Sequence, residues 1–157
     1  GADPMRHVSV RASLKLPTGD ADALRGSGSA DLAVWLLGDI GYKFSQGKLT
    51  LVGAAGAMGM TRGRLLPDQQ RPCVGFGVLV LGFSPSKWID LKIQTNAHTS
   101  FYSDSDLKQI NAPSAQLTMG GALHFSSKTS LDIGVTEDIV VGASPDVVFH
   151  LSLQHAF

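Results

Sequence analysis

Ile89-Asp90-Leu91-Lys92-Ile93-Gln94-Thr95-Asn96-Ala97 sets apolar and polar residues in alternation. Successive side chains of a strand point to opposite faces. Ile89, Leu91, Ile93, Thr95 and Ala97 therefore share one face, and Trp88, Asp90, Lys92, Gln94 and Asn96 share the other. A short polar connection, Phe83-Ser84-Pro85-Ser86-Lys87, precedes this segment, and a long one, roughly Ser103 to Pro113, follows it.

The same pattern extends in both directions. Val8, Val10, Ala12, Leu14 and Leu16 oppose Ser9, Arg11, Ser13 and Lys15, until Pro17-Thr18-Gly19-Asp20 stops the strand. Leu117, Met119, Leu123 and Phe125 oppose Gln116, Thr118, Gly120, Ala122 and His124. Leu131, Ile133 and Val135 oppose Ser130, Asp132, Gly134 and Thr136; Phe149, Leu151 and Leu153 oppose His150, Ser152 and Gln154. Between Ala33 and Val80 the alternation blurs. Ala33 to Leu37 is apolar on both faces, and Leu49 to Met60 is mostly small residues. Val74, Phe76, Val78 and Val80 alternate with Gly75, Gly77, Leu79 and Leu81, and the expectation is that glycines and alanines face a narrow lumen.

Connections alternate in length as regularly as the strands alternate in polarity. Phe44 to Lys48, Phe83 to Lys87 and Phe125 to Lys128 are short; Thr18 to Ser29, Thr61 to Arg71, Ser103 to Pro113 and Glu137 to Pro145 are long. Seven connections join about eight strands, with short turns at one end and long loops at the other, the asymmetry of outer-membrane barrels. The predicted fold is all-β, a closed antiparallel transmembrane β-barrel of about eight strands.

Composition separates a membrane wall from a soluble one. Charged residues are 17% of the chain, against about 25% in ordinary globular domains, too few to dress the outside of a soluble barrel and its loops. Tyr42, Phe44, Phe83, Trp88, Phe125 and Phe157 all lie beside a short turn or at the C-terminus. Amphipathic rings gathered at one level suit a bilayer interface. Lys+Arg and Asp+Glu balance at 13 each, so no net field recruits nucleic acid. One cysteine, Cys73, makes neither an intrachain disulfide nor a metal cluster alone. No run reaches the ~20 apolar residues of a membrane helix. Gly1-Ala2-Asp3-Pro4, ahead of Met5, reads as a cloning scar, and the lack of a secretory signal is set aside with it; residues 5–157 read as a single β-barrel domain.

Two resemblances add to this. Phe149-His150-Leu151-Ser152-Leu153-Gln154-His155-Ala156-Phe157 resembles the C-terminal assembly signal of outer-membrane barrels, with Phe157, Leu153, Leu151 and Phe149 on the pattern and His155 off it. That implies bacterial outer-membrane localisation, the barrel-assembly machinery as a partner, and outer-membrane lipid and lipopolysaccharide around the wall. Ser13-Leu14-Lys15-Leu16-Pro17-Thr18-Gly19, Gly26-Ser27-Gly28-Ser29-Ala30-Asp31 and Gly134-Val135-Thr136-Glu137-Asp138 resemble a family of uncharacterised bacterial outer-membrane proteins. Its members are expected to be longer than this chain, which leaves open a naturally short form or the C-terminal part of a larger barrel. The likeness implies location and fold, and no activity.

Several side chains are candidates for chemistry. Gly26-Ser27-Gly28-Ser29 lacks the lysine and the following helix of a phosphate loop. His150 and Ser152 stand on one strand face about 7 Å apart and resemble the His-x-Ser element of lipid A deacylases, with Glu137 or Asp138 as a third member. Against catalysis, Phe149, Leu151 and Leu153 claim the lipid face, which leaves the pair inside. His7, His98, His124, His150 and His155 have no ligand spacing, so no metal or cofactor is expected. Arg11, Lys15, Asp90, Lys92, Asp132 and Glu137 are the expected inner charges, paired as a plug, because about eight strands enclose only side chains. The function expected is structural or adhesive, through the extracellular loops. The alternatives are a lipid-modifying enzyme using His150 and Ser152, and a soluble barrel holding an apolar ligand.

Overall fold

A computed structural model describes residues 5–23, 25–104, 108–140 and 147–157; the expected cloning scar, residues 1–4, lies outside them. Eight strands follow in chain order: β1 (Met5–Lys15), β2 (Asp31–Phe44), β3 (Gly47–Met60), β4 (Cys73–Ser86), β5 (Ile89–His98), β6 (Ser114–His124), β7 (Thr129–Asp138) and β8 (Val147–His155). A four-residue helix, α1 (Lys108–Asn111), sits in the third long loop. All the strands join one antiparallel sheet in sequence order, each hydrogen-bonded to its ladder neighbours.

The sheet is open. β1 and β8 are its two edges, and neither pairs with the other. Closure expected from the sequence is therefore not a property of the folded sheet as described. Hydrogen bonding explains the long ladders: β2 and β3 pair over 14 residues, from Asp31↔Met60 to Phe44↔Gly47. Gly47 closes that hairpin at φ 141°, a conformation that side chains other than glycine's rarely adopt, with the Ser84 carbonyl where a Cβ would stand.

The register assigns two faces. The one that carries Asp90, Thr118, Asp132, His150 and Ser152 is the inner face. Each apolar set of β1, β5, β6, β7 and β8 read from the alternation shares the outer face. Val10 is 70% exposed there, Leu14 65%, Phe149 83% and Leu151 75%. Among the described residues the buried hydrophobics are only Ala21, Val74 and Ala122. The chain exposes 10638 Å², where a folded soluble monomer of 16.5 kDa exposes roughly 7,500 Å². A sheet one layer thick has no second layer to cover either face.

The expected facing of the glycines is corrected in β4. Val74, Phe76, Val78 and Val80 lie inside, while Gly75 and Gly77 lie outside. The physical reason is the β3 partner strand. Its inner residues opposite β4 include Ala54 and Gly56, which leave room for the bulky β4 side chains.

Candidate functional site

The inner surface divides lengthwise. β2, β3 and β4 contribute Ala33, Trp35, Leu37, Val52, Met58 and Phe76 to an apolar wall. β5 to β8 contribute a polar one, because Asp90, Gln94, Thr118, Asp132, His150 and Ser152 all stand one residue off the apolar positions. The boundary runs between β4 and β5, where Val78 pairs with Asn96 and Val80 with Gln94.

The polar wall is hydrogen-bonded in short chains. At its short-turn end His124 Nε2 lies 2.8 Å from Asp90 Oδ2, and the Ser84 hydroxyl donates to the other carboxylate oxygen. Farther along, Thr118 Oγ1 and Thr136 Oγ1 are 2.8 Å apart, and Thr136 Oγ1 is 2.9 Å from His150 Nε2. Gln154 Nε2 donates to Asp132 at 3.0 Å, and Gln94 Nε2 to Asn96 at 3.0 Å. A cavity of about 180 Å³ opens here, lined by Lys92, Gln94, Thr118, Asp132, His150 and Ser152. Its floor is flat because Gly120 pairs with Gly134 on the inner face.

This arrangement sorts the sequence candidates. His150 and Ser152 share the inner face and the cavity. Among the described residues no hydrogen bond joins them; His150 is engaged by Thr136 instead. A serine nucleophile needs its base within hydrogen-bond reach, and that pairing is absent. Asp138, offered as a third member, is buried on the inner face, and among the described residues neither carboxylate oxygen has a hydrogen-bond partner. Glu137 is corrected: it pairs with Leu117 and Val147 on the outer face, one residue out of phase with Thr136.

The paired plug is corrected as well. Arg11, Lys92 and Asp132 lie inside, but among the described residues none of them has an ion-pair partner. β1 and β8 are unpaired edges, so Arg11 on β1 has no neighbouring strand on that side to supply a carboxylate. Asp90 pairs with His124, and Lys15 pairs with Asp31 at the other end of the molecule.

Lys15 organises the long-loop end. It is the last partner of Asp31 on the β1–β2 ladder, and its ammonium also donates to Ser27 Oγ at 2.6 Å and Ser29 Oγ at 3.3 Å. Ser29 donates onward to Asp31 at 2.6 Å, and both residues are buried. The loops interlock from there: Thr61 N donates to Ala30 O at 2.9 Å, Arg64 N to Ser27 O at 2.9 Å, and Ser103 N to Gln69 O at 2.7 Å. Ser27, Ser29 and Asp31 are not legible from sequence as partners of Lys15, because they and Lys15 stand in separate motifs that meet only through the β1–β2 ladder.

At the opposite end the register puts Tyr42, Phe44 and Phe83 on the outer face. Phe44 and Phe83 stack with centroids 6.2 Å apart and planes 9° from parallel, and the Lys87 ammonium sits 4.7 Å from the Trp88 ring. Tyr42, Trp88, Phe125 and Phe157 are exposed.

No curated protein and no solved structure matches the chain. A family model described as a protein of unknown function (DUF3187) matches residues 2–157, and the chain belongs to that family.

Proposed function

We propose that this sheet is the wall of a closed antiparallel transmembrane β-barrel of the bacterial outer membrane, with a structural or adhesive role exercised through its long loops. One observation carries the reading: the outer face is apolar from β1 to β8, with Val10, Leu36, Leu81, Leu91, Ile133 and Leu151 all exposed. A soluble monomer seldom shows an apolar patch beyond a few hundred Å², whereas lipid covers such a belt without cost. The aromatic cluster at the short-turn end supports it, since rings of that kind favour the headgroup level. The interlocked loops at the other end offer a shaped polar surface for adhesion. Lipid, lipopolysaccharide and the assembly machinery are the partners this reading implies.

A soluble barrel holding an apolar ligand has one observation in its favour, the apolar wall built by β2, β3 and β4. It leaves the outer belt unexplained. A lipid-modifying enzyme is the weaker alternative, given the engagement of His150 by Thr136.

The two tryptophans, Trp35 inside and Trp88 beside a short turn, test the proposal. In vesicles of brominated phospholipid, Trp88 in a Trp35→Phe variant should be quenched strongly, and Trp35 in a Trp88→Phe variant much less. Equal quenching, or none at Trp88, would count against it.

A further inference from the structure

On the membrane reading, the two free edges of the sheet cannot stay free. Hydrocarbon offers no water to an unpaired N–H or C=O, and each such group costs several kcal/mol there. β1 and β8 are those edges, and with every neighbouring pair antiparallel they run antiparallel to each other. We propose that β8 closes the sheet on β1 of the same chain, in the register that sets Phe149 opposite Leu14, Leu151 opposite Ala12 and Leu153 opposite Val10.

Three observations select this register. The first is facing. Val8, Val10, Ala12 and Leu14 are outer on β1, and Phe149, Leu151 and Leu153 are outer on β8. A slip of one residue would put every apolar side chain of one edge against a polar one of the other, so only every second register is allowed.

The second is stagger. Eight strands tilted about 35–45°, some 4.8 Å apart and rising roughly 3.3 Å per residue, close with a stagger of about 8–12 residues. The row of directly paired residues that leaves β1 at Arg6 passes through Leu51 and Ile93 and reaches β8 at Phe149. Arg6 stands at the start of β1, so the stagger can run only toward Lys15. A stagger of about eight returns the row at Leu14 and keeps β8 from Val148 to His155 within β1. The next allowed value would carry Phe149 past the end of β1 at Lys15.

The third is charge. In this register Arg11 lies beside Ser152, whose partner on its other side is Asp132. Arg11 and Asp132 have no ion-pair partner among the described residues of the open sheet, and closure brings the guanidinium within a side chain's reach of that carboxylate. Gln154 then stands opposite Ser9 and His150 opposite Ser13, so the inner seam is polar throughout.

Paired cysteines test the register in a Cys73→Ser background. Gln154→Cys is combined in turn with His7→Cys, Ser9→Cys and Arg11→Cys, and each chain is reconstituted into phospholipid vesicles and oxidised. The Ser9 pair should form an intramolecular disulfide in the monomer at least tenfold faster than the other two. Faster bridging of the His7 or Arg11 pair would overturn the register. Bridging only between two chains would make a second copy the occupant of the edge. Chains that float with the vesicles without bridging at all would overturn closure while leaving the membrane reading intact; chains that do not float would overturn both.

Discussion

The rings of Trp35 and Phe76 lie with centroids 3.9 Å apart although their strands, β2 and β4, are not neighbours. Gly56 of β3 pairs with Trp35 on one side and Phe76 on the other. Having no side chain, it lets the two rings meet across it. This contact anchors the apolar wall and spans three strands of the inner face with a single aromatic pair.

Replacing Gly56 with alanine should break that contact. The added Cβ would collide with the Phe76 ring and with the Val34 carbonyl, and a backbone carbonyl cannot swing aside. Overpacking of this kind costs about 1–3 kcal/mol. Unfolding midpoints should fall accordingly, with a matching change in Trp35 fluorescence. A neutral outcome would mean that the rings do not meet.

Face assignment is tested on β5. Leu91 is outer and Gln94 inner. Leu91→Arg should cost roughly 2–4 kcal/mol, the penalty for a guanidinium near the bilayer midplane. Gln94→Arg should cost less, because the inner polar wall holds Asp132 in the same cavity. Unfolding midpoints in vesicles compare the two, and a larger loss from Gln94→Arg would reverse the faces.

The loop clamp should fail when its cation is removed. Lys15→Ala leaves the Asp31 carboxylate buried with Ser29 as its one side-chain donor among the described residues. Leaving a buried acceptor short of partners costs about 1–3 kcal/mol. Trypsin should then cut faster at exposed Arg25 in the same loop, while Lys15→Ala combined with Asp31→Ala should recover part of the loss. Unchanged cleavage would remove Lys15 from the clamp.

Hydrolysis is not expected. Wild type and Ser152→Ala should release equal, background amounts of fatty acid from phospholipid and from lipopolysaccharide. Turnover by wild type that disappears in Ser152→Ala would restore the enzyme reading.

The eight strands and their connections were legible in the sequence because two signals agree, period-2 polarity and the spacing of turn residues. The outer faces of β1 and of β5 to β8 were legible for the same reason. β2 to β4 were not: Val34, Trp35, Leu36 and Leu37 are apolar in succession, so polarity cannot say which are inside. Only the partner strand decides, as Gly56 does for Trp35. The site was legible residue by residue and hidden in its connections. His150 was placed inside, but its link to Thr136 crosses from β8 to β7, and Lys15 meets Asp31 only through the β1–β2 register. Glu137 lies outside although its charge favours the inner face, because Thr136 and Asp138 on either side of it take the inner phase of β7.

The most direct test of the account is whether the chain needs an apolar medium to fold. Refolding in plain buffer and in detergent micelles, followed by circular dichroism and gel filtration, compares the two conditions. The account predicts a β-rich, monodisperse species with detergent and aggregate without it, because the outer belt has nothing else to cover it. A monodisperse β-rich monomer in plain buffer would contradict the membrane reading and favour the soluble barrel.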